Sequence, residues 1–161
     1  SVVAYNISST FNITEEKDTT SDKIEPKDTI QETPVEEIFV SDDKSNHFYA
    51  MLISSKADVN RLKFNIISYN VDNFSMFDFK VSLVEYTDDY NIITVKMLKN
   101  KRQALGYFKH ISKHKDDIID KIRKKYSEYE EFVISPANYS ILFEKKNHEK
   151  YLEYFNKYYI K

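Results

Sequence analysis

His47–Val71 reads HFYAMLISSKADVNRLKFNIISYNV, and the change of period inside it decides the fold. Its first eight residues, His47–Ser54, are an almost unbroken apolar run of strand length, as expected for a central strand covered on at least one face. Ser55-Lys56-Ala57-Asp58 has the form of a capping box, with Ser55 bonding the Asp58 amide and the carboxylate reaching back. Val59, Leu62, Ile66 and Tyr69 then recur at helical spacing, so a helix is predicted to about Val71. Outward from this stretch, Phe79–Tyr86 and Asn91–Leu98 read as two strands joined by the turn Thr87-Asp88-Asp89-Tyr90. Asn100 with Gln103 caps a second helix whose inner stripe is Ala104, Phe108 and Ile111, and helical character continues through Ile118, Ile119 and Ile122. Glu131–Ile134 is a short fourth strand. It stops at Ser135-Pro136, a cap followed by a proline at the first helical position. Tyr139, Leu142 and Phe143 face inward on the next helix. Asn147 opens a last one with Tyr151, Leu152, Phe155 and Tyr159 inside. The order β-α-β-β-α-β in about 90 residues predicts an α+β fold, the ferredoxin-like or split βαβ arrangement. Right-handed crossovers would put both long helices on one face of an antiparallel sheet, with two further helices appended at the C-terminus.

The chain changes character at His47. Residues 12–46 carry eleven acidic and four basic side chains and two of the three prolines, whereas residues 47–161 carry fifteen acidic and twenty basic. The net charge of −2 thus joins an acidic segment, 1–46, to a basic domain, 47–161. Residues 12–37 are too polar to repay an ordering entropy of about 1–2 kcal/mol per residue, so a flexible linker is expected there. Val2, Val3, Tyr5, Ile7 and Phe11 could form a short strand before it, and Glu37-Ile38-Phe39-Val40 could pin the linker onto the domain. A first residue of Ser1, with no basic-then-apolar leader after it, suggests a fragment or processed product of a larger protein.

Composition removes several chemistries. One glycine cannot build a phosphate-cradling loop or a dinucleotide fingerprint. Without cysteine there is no disulfide, thiolate metal site or thiol nucleophile. No apolar run reaches the roughly 18 residues that span a bilayer, so this segment is not expected to insert in a membrane.

Catalytic and metal constellations are weak. His110, His114 and Asp117 have helical ligand spacing, but Lys109, Lys113, Lys115 and Lys121 surround them and oppose a cation. His148-Glu149 lacks the second histidine of a zinc-protease helix, because Leu152 stands there. Ser54, Ser55 and Ser135 sit at strand ends and caps, and Asp88-Asp89, Asp116-Asp117 and Glu130-Glu131 read as solvated pairs. No catalytic residue, metal or cofactor is therefore expected, and no enzyme. The candidate binding surface is a partner-facing patch: the basic run Lys121, Arg123, Lys124 and Lys125, extended by Lys99, Lys101, Arg102, Lys109, Lys113 and Lys115, together with Tyr154 and Tyr158. The two tyrosines lie four apart on the outer side of the last helix, partly exposed. Nucleic acid is a poor fit, since the strand Ile92–Met97 offers no aromatic on which a base could stack.

Three stretches carry a family resemblance: "HFYAMLI" with "DVNRLKFNIISYNVDNFS", "VKMLKNKRQALGYFKHI", and "FVISPANYSILFEKKNHEKYLEYFNKYY". Across Phe39–Lys161 they resemble the C-terminal domain of Bacteroidetes tetratricopeptide-repeat lipoproteins of the SprE/PorW type, which serve type IX secretion and gliding motility. The resemblance implies a non-enzymatic periplasmic scaffold, held at the outer membrane through an upstream anchor, with protein partners in the cell envelope. "VKMLKNKRQALGYFKHI" also resembles a segment of SPOR-type domains, which implies peptidoglycan binding through the sheet. The glycine-rich element expected after the first strand is replaced by Ser54-Ser55-Lys56-Ala57. A small-ligand domain on the same fold is the third alternative.

Overall fold

The structure, a computed structural model, describes residues 38–119 and 128–161. The chain divides into two units, Ser1–Val35 and Glu36–Lys161, and every described residue belongs to the second. Its elements are β1 (His47–Ser54), α1 (Val59–Phe74), β2 (Lys80–Glu85), β3 (Tyr90–Leu98), α2 (Lys101–Lys113), α3 (Lys115–Ile119), β4 (Tyr129–Ile134), α4 (Pro136–Lys145) and α5 (His148–Tyr158). The fold is α+β, with one antiparallel sheet ordered β2-β3-β1-β4. β3 lies between β1 and β2, and β1 lies between β3 and β4, so the two β-α-β crossovers interleave.

Local chemistry sets the helix ends. Asp58, not Ser55, is the N-cap of α1, its carboxylate accepting from the Arg61 amide at 3.1 Å. The Ser55 hydroxyl instead donates to the Asp88 carbonyl at 2.8 Å, tying the end of β1 to the β2–β3 turn. The second predicted box forms in part: Asn100 accepts from the Gln103 amide at 2.9 Å, while the Gln103 side chain accepts from the Lys99 amide rather than from that of Asn100. Ser135 caps α4 with Pro136 at its first position. The second helix breaks at His114, so α3 is separate; Ile118 is buried there, and the predicted inner residue Ile122 lies outside the described residues.

The two faces of the sheet follow from its register. Tyr49 packs on Tyr107 and Phe108 of α2. Tyr49, Met51, Val95, Ile93, Val81 and Leu83 share that face by cross-strand pairing. Phe48 meets Tyr139 of α4, and Phe132, the partner of Ala50, meets Tyr151 of α5. The appended helices therefore cover the second face, and Ala50, Leu52, Ile92 and Thr94 on it are at most 2% exposed. The result is three layers with helices on both sides, so the middles of the two central strands, 49–53 and 91–95, are buried. One hydroxyl has no use in this interior. Thr94 Oγ1 is buried without a hydrogen-bond partner. Thr94→Val keeps the shape and should raise stability by about 1 kcal/mol, read as a higher urea midpoint at unchanged slope.

The packing extends upstream of His47. Phe39 is 5% exposed and sets its ring edge-on to Tyr151 at 4.9 Å and against Tyr154 at 5.6 Å. Beside it the Asn138 amide accepts from the Val40 N–H at 2.9 Å and donates to the Val40 carbonyl at 2.8 Å. Ile38–Val40 thus belongs to the domain, as its apolar character suggested.

His47 closes the same corner. Its ring is fully buried; Nδ1 lies 2.8 Å from the Ser45 carbonyl and Nε2 3.0 Å from the Tyr159 hydroxyl. The carbonyl can only accept, so Nδ1 carries the proton and Tyr159 donates to Nε2 in the neutral ring. Burial, above all, holds the imidazolium form down and lowers the pKa, helped by nearby Lys101; the Ser45 bond, Asp42 and Asp43 pull the other way. A base depressed in the folded state binds fewer protons there than in the unfolded chain. Its contribution is complete above the unfolded value of about 6.5 and is lost as pH falls from there through the folded pKa. Urea midpoints should decline across that window, and His47→Gln should flatten the decline.

Candidate interaction surface

Lys121, Arg123, Lys124 and Lys125 lie outside the described residues. Tyr154 is buried rather than partly exposed, at 6%, because Phe39 covers the side of α5 that the sequence left open. Tyr158 is half-buried, 4.7 Å from Tyr154. Of the other basic residues, Lys101, Arg102 and Lys109 line one groove on α2. Lys101 is already committed there: it pairs with Asp43 at 2.9 Å, donates to the Tyr158 carbonyl at 3.2 Å and lies over the Tyr159 ring.

The histidines of α2 engage neighbours within the fold. His110 Nδ1 is 2.7 Å from the Tyr69 hydroxyl, and its ring stacks on His114 at 4.9 Å. His114 Nδ1 is 2.9 Å from the His110 carbonyl. Among the described residues no group of three or more His, Asp and Glu is arranged to hold a metal ion. Glu131 is not the solvated acid of the sequence reading. It is half-buried on β4, where its carboxylate accepts from the Tyr49 hydroxyl at 2.9 Å and from Ser112 on α2. This clamps α2 to the sheet, and Glu131 also lines an open cavity of about 750 Å³ whose rim includes Glu130, His148 and Glu149.

The surface that stands out is on α1. Leu62, Ile66, Tyr69 and Asn70 form its buried stripe. On the opposite side Phe64, Ile67 and Val71 are 65%, 40% and 62% exposed. Their spacing of three and four puts them on one line, uncharged in itself and flanked on one side by the exposed Arg61, Ser68 and Asp72. Met76, 95% exposed, and Phe77, 48% exposed, continue it past the helix end. Isolated exposed apolar residues are ordinary, but a contiguous group of this kind marks a contact site.

This stripe opens into a cleft of about 440 Å³ between the end of α1 and the start of β2, walled by Ile67, Val71, Phe74, Phe77, Phe79 and Val81. Phe77 and Phe79 stack at 5.1 Å and 11°. Phe74 lies 5.6 Å from Phe79 and 5.2 Å from Tyr107. The Tyr107 hydroxyl donates to Asn70 Oδ1 at 2.7 Å, and burial pushes its pKa up. Asn70 also lines the cleft; it is 7% exposed, and its Nδ2 is buried with no acceptor. Ser75 and the Asp78–Lys80 ion pair complete the lining, so a mostly aromatic and aliphatic cleft with a polar side is suited to an apolar side chain.

The sheet's two edges differ as well. On β4, Glu130 and Glu131 supply charge, and the Val133 carbonyl is taken by the Tyr151 hydroxyl at 2.6 Å. On β2, Val81-Ser82-Leu83-Val84 is uncharged and none of the six residues is buried. Apart from the ladder with β3, its backbone makes no hydrogen bond among the described residues.

No family model, curated protein or solved structure matches the chain, so the reading rests on its own geometry and on the resemblance carried by its motifs.

Sequence reasoning missed this surface although its signal was present. Phe64, Ile67 and Val71 have the same helical spacing as the stripe that was read, 180° away from it on the same helix.

Proposed function

We propose that the domain is a non-enzymatic protein-interaction module with ferredoxin-like topology, acting through the α1–β2 face. The interleaved order β2-β3-β1-β4 supports that topology, since a split βαβ unit places one strand between each parallel pair. The uncharged line Phe64–Ile67–Val71, running into the aromatic cleft, carries the functional reading. Leaving it in water is unfavourable by roughly 25 cal/mol per Å² of apolar area, and a protein partner relieves that. Covered sheet faces favour this over a glycan or nucleic acid reader that works through the sheet, because such a ligand would have to displace α4 and α5. The motif resemblance adds the setting: the C-terminal part of a larger periplasmic, outer-membrane-associated protein that assists type IX secretion or gliding machinery, partnered by envelope proteins.

The test is a photo-crosslinking amino acid placed in turn at Phe64, Val71 and, as a control, the exposed Glu153 of α5. Adducts with secretion or envelope proteins are expected from the first two positions only, and Ile67→Asp should remove them. Adducts independent of position, or retention of the purified chain on peptidoglycan sacculi, would sink the reading.

A further inference from the structure

We infer that β2 receives an extended segment of a partner protein, which joins the sheet as a fifth strand and sets one apolar side chain in the Phe74–Phe77–Phe79 cleft. This rests on the reading of the α1–β2 face as the interaction surface and names what that face takes.

The contrast between the edges is the first argument. Proteins protect exposed edges with charge, short strands or a cover, since free N–H and C=O groups recruit other strands. β4 is protected in this way, by the exposed Glu130 and by Tyr151. β2 holds four uncharged residues between Lys80 and Glu85, and among the described residues nothing bonds its free edge. Position is the second argument. The cleft is lined by Phe79, Lys80 and Val81, so a chain running beside β2 must pass its mouth. Strand addition commonly combines these parts: main-chain bonds along an edge give affinity, and a pocket for one side chain gives specificity.

The occupant is therefore an extended, uncharged stretch that alternates β-branched and small polar residues around one aromatic. A helix is a worse fit, because it satisfies its own backbone and would leave the β2 edge bare.

The probe is the synthetic peptide Ac-Lys-Thr-Val-Thr-Tyr-Thr-Val-Thr-Lys-NH2, titrated into the full ¹⁵N-labelled chain. Amide signals of residues 80–85 should shift, and their hydrogen exchange should slow at least about tenfold. A peptide methylated on alternate backbone nitrogens should bind at least about tenfold more weakly, and so should the unmodified peptide to Phe77→Asp. Phe77 is half exposed, so the variant's unchanged melting can be verified directly. Equal binding of the methylated peptide, shifts away from β2, or no binding at millimolar peptide would overturn the proposal. So would protection of the β2 amides by dimerisation without peptide. If the Phe64 and Val71 crosslinks persist while the peptide fails, the surface stands and only its strand-pairing geometry falls.

Discussion

A chain cut to begin at His47 should unfold at far lower urea than one beginning at Glu36, with a stability loss of roughly 4–8 kcal/mol. Two losses add up to this. Phe39 is a core side chain in contact with Tyr151 and Tyr154, and deleting a buried phenylalanine costs about 3–5 kcal/mol. Asn138, fully buried, would lose both its bond from the Val40 N–H and its bond to the Val40 carbonyl. A buried polar group left unpaired costs about 1–3 kcal/mol. Against a usual total of about 5–15 kcal/mol, the shorter chain would be marginal or unfolded. Phe39→Ala alone should reproduce the larger share. Equal urea midpoints for the two chains would mean that Phe39 and Val40 are not part of the folded unit. The sequence-based boundary at His47 was placed on charge and composition, which register solubility. One phenylalanine and one backbone clamp scarcely alter either quantity.

That case shows what sequence reasoning could reach. Signals carried within a few residues were read correctly: the apolar run of β1, the Asn100 cap, and Ser135 before Pro136 each settle their own backbone. Where one short-range device competed with another, the reading slipped. Asp58 took the capping role expected of Ser55, because Ser55 found a partner on the β2–β3 turn. Long-range placement was the larger gap. Nothing near Tyr154 announces that Phe39, from the other end of the domain, will cover it. Nothing near Glu131 announces Tyr49 and Ser112. The α1 surface was legible in principle, but once Leu62, Ile66 and Tyr69 account for the core stripe, the spacing of Phe64, Ile67 and Val71 carries no sign of whether anything covers them. The second-face cover by α4 and α5 was hidden for a related reason. β1 is apolar at nearly every position, which fits a strand covered once or twice equally well.

Ala50→Arg separates those two architectures and, with them, two classes of function. Ala50 points to the second face, between Thr94 on β3 and Phe132 on β4. On an open face, as a sheet-reading glycan or nucleic acid binder would require, an arginine there would be harmless and would strengthen contact with an anionic ligand. Beneath α4 and α5 it has neither water nor a carboxylate. Phe132 and Tyr151 are buried beside it, and no acid lies on the paired positions. An uncompensated buried charge costs roughly 3–5 kcal/mol, so the variant should lose most of its stability and melt broadly or express unfolded. Val84→Arg is the matched control, since Val84 shares that face near its rim and is 36% exposed; it should change stability by no more than about 0.5 kcal/mol. A stable Ala50→Arg chain, melting like Val84→Arg, would mean that α4 and α5 leave the sheet accessible. The proposal that α1 and the β2 edge are the binding surface depends on that closed face, so that result would return the sheet itself to the list of ligand surfaces.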